Sequence, residues 1–125
     1  MTKQEFTFRR PTVLSGWIRE NLPSSSTGFR VYDIDWIILN WETKQFMLLE
    51  EKVHGYQVNE TQGEVFNFVH KVLIEGIKSW PDWKYKGFYS VIFENKTFND
   101  GKCYFGNRNS MVEVTQEELK KLLSI

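Results

Sequence analysis

Residues 33–52 read DIDWIILNWETKQFMLLEEK, and this stretch decides the fold. Two apolar runs flank a polar turn of Trp41, Glu42, Thr43 and Lys44. The pattern predicts strands over Arg30–Asn40 and Gln45–Val53, paired as an antiparallel hairpin. Side chains alternate along a strand with period two. Asp33, Asp35, Ile37 and Leu39 therefore share one face of the first strand, and Phe46, Leu48, Glu50 and Lys52 share one face of the second. An acid and a Lys stand side by side at the second strand's end, within reach of an acid from its partner. Bulky apolar side chains on both faces predict a sheet covered on both sides. Charges at the rim of such a sheet are costly to desolvate unless they are paired or bind metal. A divalent cation relieves the repulsion between two carboxylates, and hard oxygen donors suit Mg²⁺ or Mn²⁺. A neighbouring Lys orients a water or stabilises developing negative charge. The plainer alternative is a Lys–carboxylate pair that closes a sheet edge.

The remaining elements follow from periodicity and punctuation. Pro11–Asn21 reads as a short helix with Val13, Leu14, Trp17 and Ile18 on its apolar side and Glu20 at the border. Ser24–Gly28 is a loop, and Val53–Glu60, with His54 and Gly55, is the exit from the second strand. Thr61–Lys78 is the main helix, with Val65, Phe66, Val69, Val72 and Leu73 at helical spacing. Asn59 or Thr61 caps it. Gln62 lies one turn before Phe66 and so points toward the sheet. His70 is expected on the side away from Phe66 or at the margin. Ser79–Lys86 is a loop carrying an aromatic-basic cluster of Trp80, Trp83, Lys84 and Tyr85. Gly87–Glu94 is a strand, placed parallel to the second by the intervening helix. A turn over Asn95–Lys102 leads to a short strand at Cys103–Phe105, then a polar loop at 107–110. Thr115 and Glu118 form a capping box for a last helix, Gln116–Leu123, packed through Leu119, Leu122 and Leu123. The order is α/β with a mixed central sheet flanked by helices.

Taken together, Asp35, the Glu50-Glu51-Lys52 triplet and Gln62 resemble the PD-(D/E)XK nuclease superfamily. This is the restriction-endonuclease-like fold that includes RecB-type nucleases and archaeal Holliday-junction resolvases. Its motif is an Asp in one strand, then Glu or Asp, any residue and Lys in the next. The Pro that names the motif is replaced by Ile34. Asp33 is the alternate for the first acid. The resemblance covers a core of about residues 11–94 within one domain over 1–125. It implies a restriction-endonuclease-like order of helix, hairpin, helix and strand, with a C-terminal strand and helix added. It implies that Asp35, Glu50, Lys52 and Gln62 are catalytic. Asp35, Glu50 and the Glu51 carbonyl would hold Mg²⁺ or Mn²⁺, with Glu20 as an outer ligand. Phe66 fills the position of an aromatic that follows the Gln in RecB-type members.

The expected function is a metal-dependent endonuclease or exonuclease acting on nucleic acid, with DNA favoured. Arg9, Arg10 and Arg19 would contact phosphates. The small layout is similar to accessory nucleases of viruses, phages or mobile elements, and cutting of both strands suggests a homodimer. The alternative is a non-catalytic nuclease-fold binding or inhibitor protein. Sixteen Lys and Arg balance sixteen Asp and Glu over 125 residues, so no bulk basic excess advertises a nucleic-acid partner, and a local basic groove is required. The one Cys, Cys103, excludes an intramolecular disulfide and suits a reducing cytoplasm. Met1–Arg10 has no apolar core and no run is long enough to span a bilayer, so a cytoplasmic protein without membrane association is expected.

Overall fold

Backbone hydrogen bonding between Trp36–Asn40 (β1) and Gln45–Lys52 (β2) makes the hairpin, with Trp36 opposite Leu49 and Asn40 opposite Gln45. The computed structural model describes residues 13–24, 28, 31–56, 58–107 and 110–125. It divides into an N-terminal unit, 1–33, and a larger unit, 34–125. Among the described residues of the N-terminal unit, Val13–Asn21 forms a helix (α1), in which Ser15 is buried while Val13, Leu14 and Trp17 are exposed.

The larger unit is built on a five-stranded mixed sheet, ordered as in the chain, with helices Glu60–Gly76 (α2) and Gln116–Leu123 (α3). β2 pairs in parallel with Lys84–Phe93 (β3) across the α2 crossover. Antiparallel strands Cys103–Gly106 (β4) and Val112–Val114 (β5) complete the sheet. The turn, the parallel pairing and the final helix fall where the sequence predicts them.

Most element ends differ from expectation by one or two residues; two strand starts differ by more, and one strand is additional. β1 starts at Trp36 rather than Arg30, because an Asp35 carboxylate oxygen, 2.8 Å from the Glu51 N–H, accepts the bond that a continuing strand would take. β3 starts at Lys84, inside the expected loop, because the Lys84 N–H bonds the Lys44 carbonyl at 2.9 Å and extends the ladder. Between the Phe46–Tyr85 and Leu48–Phe88 pairs β3 carries one extra residue. Gly87 absorbs this bulge with φ +122°, where a Cβ would lie 2.8 Å from the Tyr89 hydroxyl. β5 was not expected at all: two Val around Glu113 give too little periodicity to stand alone.

The two faces of the sheet have different occupants. Met47, Leu49, Val91, Cys103, Phe105 and Val114 form the main core with Leu119 of α3, and Tyr89 stacks on Phe105 with ring centres 4.9 Å apart. Leu123 packs against this core, whereas Leu122 stays 42% exposed, contrary to the expected packing, because it lies on the outer side of so short a helix. α2 occupies the other face, where Phe66 stacks on Phe88 at 4.6 Å. The aromatic cluster closes the end of the sheet formed by Gln45 and Lys84: Trp83 meets Trp41 edge-on at 5.4 Å and Tyr85 lies 5.2 Å from Phe46. Trp80 remains exposed.

Asn59 caps α2 through the Gln62 N–H, and Thr115 with Glu118 forms the predicted capping box of α3. The Thr115 backbone N–H, followed by its hydroxyl, holds the Glu118 carboxyl below the usual range. A carboxylate with a depressed folded-state pKa stabilises above its unfolded value and loses that contribution as pH falls through the folded one. Glu118→Gln is expected to melt below wild type at neutral pH, and the gap is expected to close on acidification. Thermal unfolding followed across pH checks this, and a gap that persists unchanged in acid would show that the charge plays no part.

Candidate functional site

The site assembles where β2 ends and α2 begins. Glu50 projects from β2 toward α2 and is fully buried. Lys52, two residues on, shares its face, with Nζ 3.9 Å from Glu50 Oε1 and a side chain only 15% exposed. Asn59 starts α2 immediately after the exit loop, so the first turn returns Gln62 to the same place. Gln62 is buried, and its Oε1 accepts a hydrogen bond from Lys52 Nζ at 3.1 Å. The ammonium is thereby held between a carboxylate and an amide.

Asp35 is brought to the same end by the hairpin register. Trp36 faces Leu49, and Asp35 precedes the first paired residue of β1, which places it beside the end of β2 that carries Glu50 and Glu51. One Asp35 oxygen takes the Glu51 N–H. The Glu51 side chain turns to the other face, where its carboxylate accepts from the Trp36 indole N–H at 3.0 Å. Glu51 therefore keeps its carboxylate on the face away from Glu50 and Lys52.

Glu20 and Arg19 are exposed on α1 and Asp33 is half-buried, all three within the N-terminal unit. Arg9 and Arg10 lie outside the described residues. His54 leaves the strand with φ 56° and is exposed, so it does not continue the Lys52 face. His70 is not turned away from Phe66. The two are four residues apart on one helix, and His70 Nδ1 lies 2.8 Å from the Tyr85 hydroxyl. Burial, with Tyr89 adding to it, pushes the Tyr85 phenol up to about 12, so it stays protonated at neutral pH.

Ser90 is a further site neighbour. It is buried, and the parallel register sets it directly beside Glu50. The signal for it was present: a lone hydroxyl between Phe88 and Ile92 breaks an otherwise apolar inward stripe.

The donor set can be compared with what a small divalent cation needs. Among the described residues no three His, Cys, Asp or Glu side chains form a metal-holding group. The Asp35 carboxylate, just before β1, and the Glu50 carboxylate, on β2, are the candidate oxygen donors. Mg²⁺ is commonly held by one or two carboxylates with waters completing its shell, so this oxygen-only set fits such an ion. It offers no nitrogen or sulfur donors for a softer metal.

An uncharacterized protein of Archaeoglobus fulgidus is 31% identical over 106 residues, spanning 83% of this chain and 69% of the relative. A second uncharacterized protein of that organism is 27% identical over 138 aligned positions, spanning 99% of this chain and 86% of the relative. No protein-family model matches the chain, and no solved structure matches it at a significant level. No helix among the described residues is long and apolar enough to cross a membrane.

Proposed function

We propose that this chain, which belongs to one family with the uncharacterized Archaeoglobus fulgidus protein, is a metal-dependent phosphodiesterase that cleaves nucleic acid, with DNA as the favoured substrate. The observation that carries this reading is the convergence of Glu50, Lys52 and Gln62, linked through Lys52 Nζ at 3.9 Å and 3.1 Å, with the Asp35 carboxylate bonded to the Glu51 N–H beside them. The order of helix, hairpin, crossover helix and parallel strand supports a restriction-endonuclease-like core. Asp35, Glu50 and the Glu51 carbonyl would hold Mg²⁺ or Mn²⁺. When bound, such an ion supplies Lewis acidity and a more nucleophilic water at neutral pH.

The chain's own residues divide the remaining work. Lys52 carries a positive charge into a largely desolvated corner, where it is suited to stabilise charge developing on the attacked phosphate. The amide oxygen of Gln62 fixes the ammonium in place, so little reorganisation is needed when that charge forms. Burial of Glu50 against Leu48 and Ser90 holds its carboxylate in one orientation. Cutting both strands of a duplex would call for two copies of the chain, since one such site faces one strand.

A second reading is favoured by the balanced charge and by the lack of a three-side-chain metal group among the described residues. On it the fold is a non-catalytic binding or inhibitor module. Cleavage of labelled single-stranded, duplex and branched DNA and of RNA, with Mn²⁺, Mg²⁺ or chelator, separates the two. Metal-dependent cutting is expected, abolished by chelator and reduced about tenfold to a hundredfold in Gln62→Ala, the usual effect of losing a residue that orients a charged neighbour. A folded protein that cuts nothing with either metal would establish the binding reading instead.

A further inference from the structure

A groove of about 750 Å³ opens beside the catalytic corner, between α2 and β3. It starts at two residues that adjoin the site: Gly63 follows Gln62, and Ser90 sits on the strand next to Glu50. Neighbouring strand backbones lie about 4.8 Å apart, so the groove's Ser90 end sits one strand over from Glu50. Its floor is apolar, made by the stacked Phe66 and Phe88 with Ile74 beyond them. Its rim is polar and flat-group-rich: Asn67 and Asn107 bring amides, and His70 brings an imidazole. The His70 Nδ1 and the Tyr85 hydroxyl share a 2.8 Å hydrogen bond, so both groups bring polar edges to this rim.

The charge of the lining identifies what it can take. Glu64 and Lys86 balance each other, so the groove has no excess positive charge to follow a phosphate backbone. An aromatic floor with amide and imidazole edges suits a planar heterocycle that carries both donors and acceptors. The volume exceeds that of one nucleoside and falls in the usual range of small-molecule sites. Bases in a duplex are stacked and paired, and only an unpaired base can enter such a groove.

We propose that this groove is a subsite for an unpaired nucleobase next to the scissile phosphate. The substrate class is then single-stranded nucleic acid, or a branched one with an unpaired nucleotide at the cleavage point. This inference rests on the phosphodiesterase reading for its placement beside a reacting phosphate, whereas base binding itself requires no cleavage.

The test is binding of a labelled oligo-dT strand, an abasic strand of the same length and a blunt duplex, by fluorescence anisotropy in chelator. Metal-dependent cleavage of the same oligomers is measured in parallel. Wild type is expected to bind oligo-dT about tenfold or more tighter than the abasic strand or the duplex, the scale of one or two base contacts. Asn67→Trp, an exposed position whose indole would fill the groove, is expected to erase that preference. Asn67→Ala, which keeps the groove open and cannot disturb a buried contact, is expected to reduce it. Equal binding of all three oligomers by wild type would overturn the proposal, as would a preference left unchanged in both variants. Base-dependent binding without cleavage would sink the phosphodiesterase reading and leave the base subsite standing. Cleavage without base preference would do the reverse.

Discussion

Glu50→Gln is expected to melt at a higher temperature than the wild type and, on the phosphodiesterase proposal, to cleave about a thousandfold or more slowly, the scale of removing a central electrostatic group from an active site. The reasoning begins with burial. Glu50 is 0% exposed, and its Lys52 partner sits at 3.9 Å, beyond direct hydrogen-bond length. Desolvating an ion costs several kcal/mol, which an ion pair repays only with close geometry. The amide has the same shape and no charge. Exchanging them removes the cost of desolvating the carboxylate and keeps the packing, while the ammonium left behind reaches solvent at 15% exposure and keeps its bond to Gln62, so a gain of about 1–3 kcal/mol is expected where deleting the ammonium instead would strand the fully buried carboxylate. For a chain of this length that corresponds to roughly 3–15 °C in melting temperature. A residue kept for stability would show the opposite sign. A fall in melting temperature together with retained metal-dependent cleavage would identify Glu50 as one half of a structural ion pair.

Much of this corner was legible before any coordinates. The hairpin is readable because two apolar runs flank the polar turn Trp41–Lys44; its register is not, because Leu48 and Leu49 face opposite sides of a sheet occupied on both. Gln62 was readable because its spacing to Phe66 fixes its side of the helix. The length of β1 was not, because it ends on a side-chain event, the Asp35 carboxylate taking the Glu51 N–H. The pairing of His70 with Tyr85 was also hidden. Those residues are 15 apart, and the bulge at Gly87 that precedes the Phe88 pairing has no signature beyond a single glycine. β5 was hidden for a different reason: three residues take their strand conformation from β4. Local rules thus found the acids, the lysine and the amide, and non-local contacts built the groove beside them.

Lys52→Ala is expected to lose cleavage as completely as Glu50→Gln while moving stability the other way. Removing the ammonium leaves the Glu50 charge in a buried corner and deprives the Gln62 oxygen of its donor. Breaking a buried pair by deleting one partner costs about 3–5 kcal/mol; here the 3.9 Å separation and the 15% exposure of Lys52 place the cost toward the lower end. The double variant Lys52→Ala with Glu50→Gln separates the two effects. With neither charge present, most of the lost stability is expected to return, as a coupling of about 1–3 kcal/mol in a double-mutant cycle by chemical denaturation. Activity is not expected to return, because the phosphate then meets neither the carboxylate nor the ammonium. Additive losses in the double variant would mean that the two side chains do not compensate each other. Undiminished cleavage by Lys52→Ala, in protein free of contaminating nuclease, would end the phosphodiesterase proposal whatever the stabilities showed.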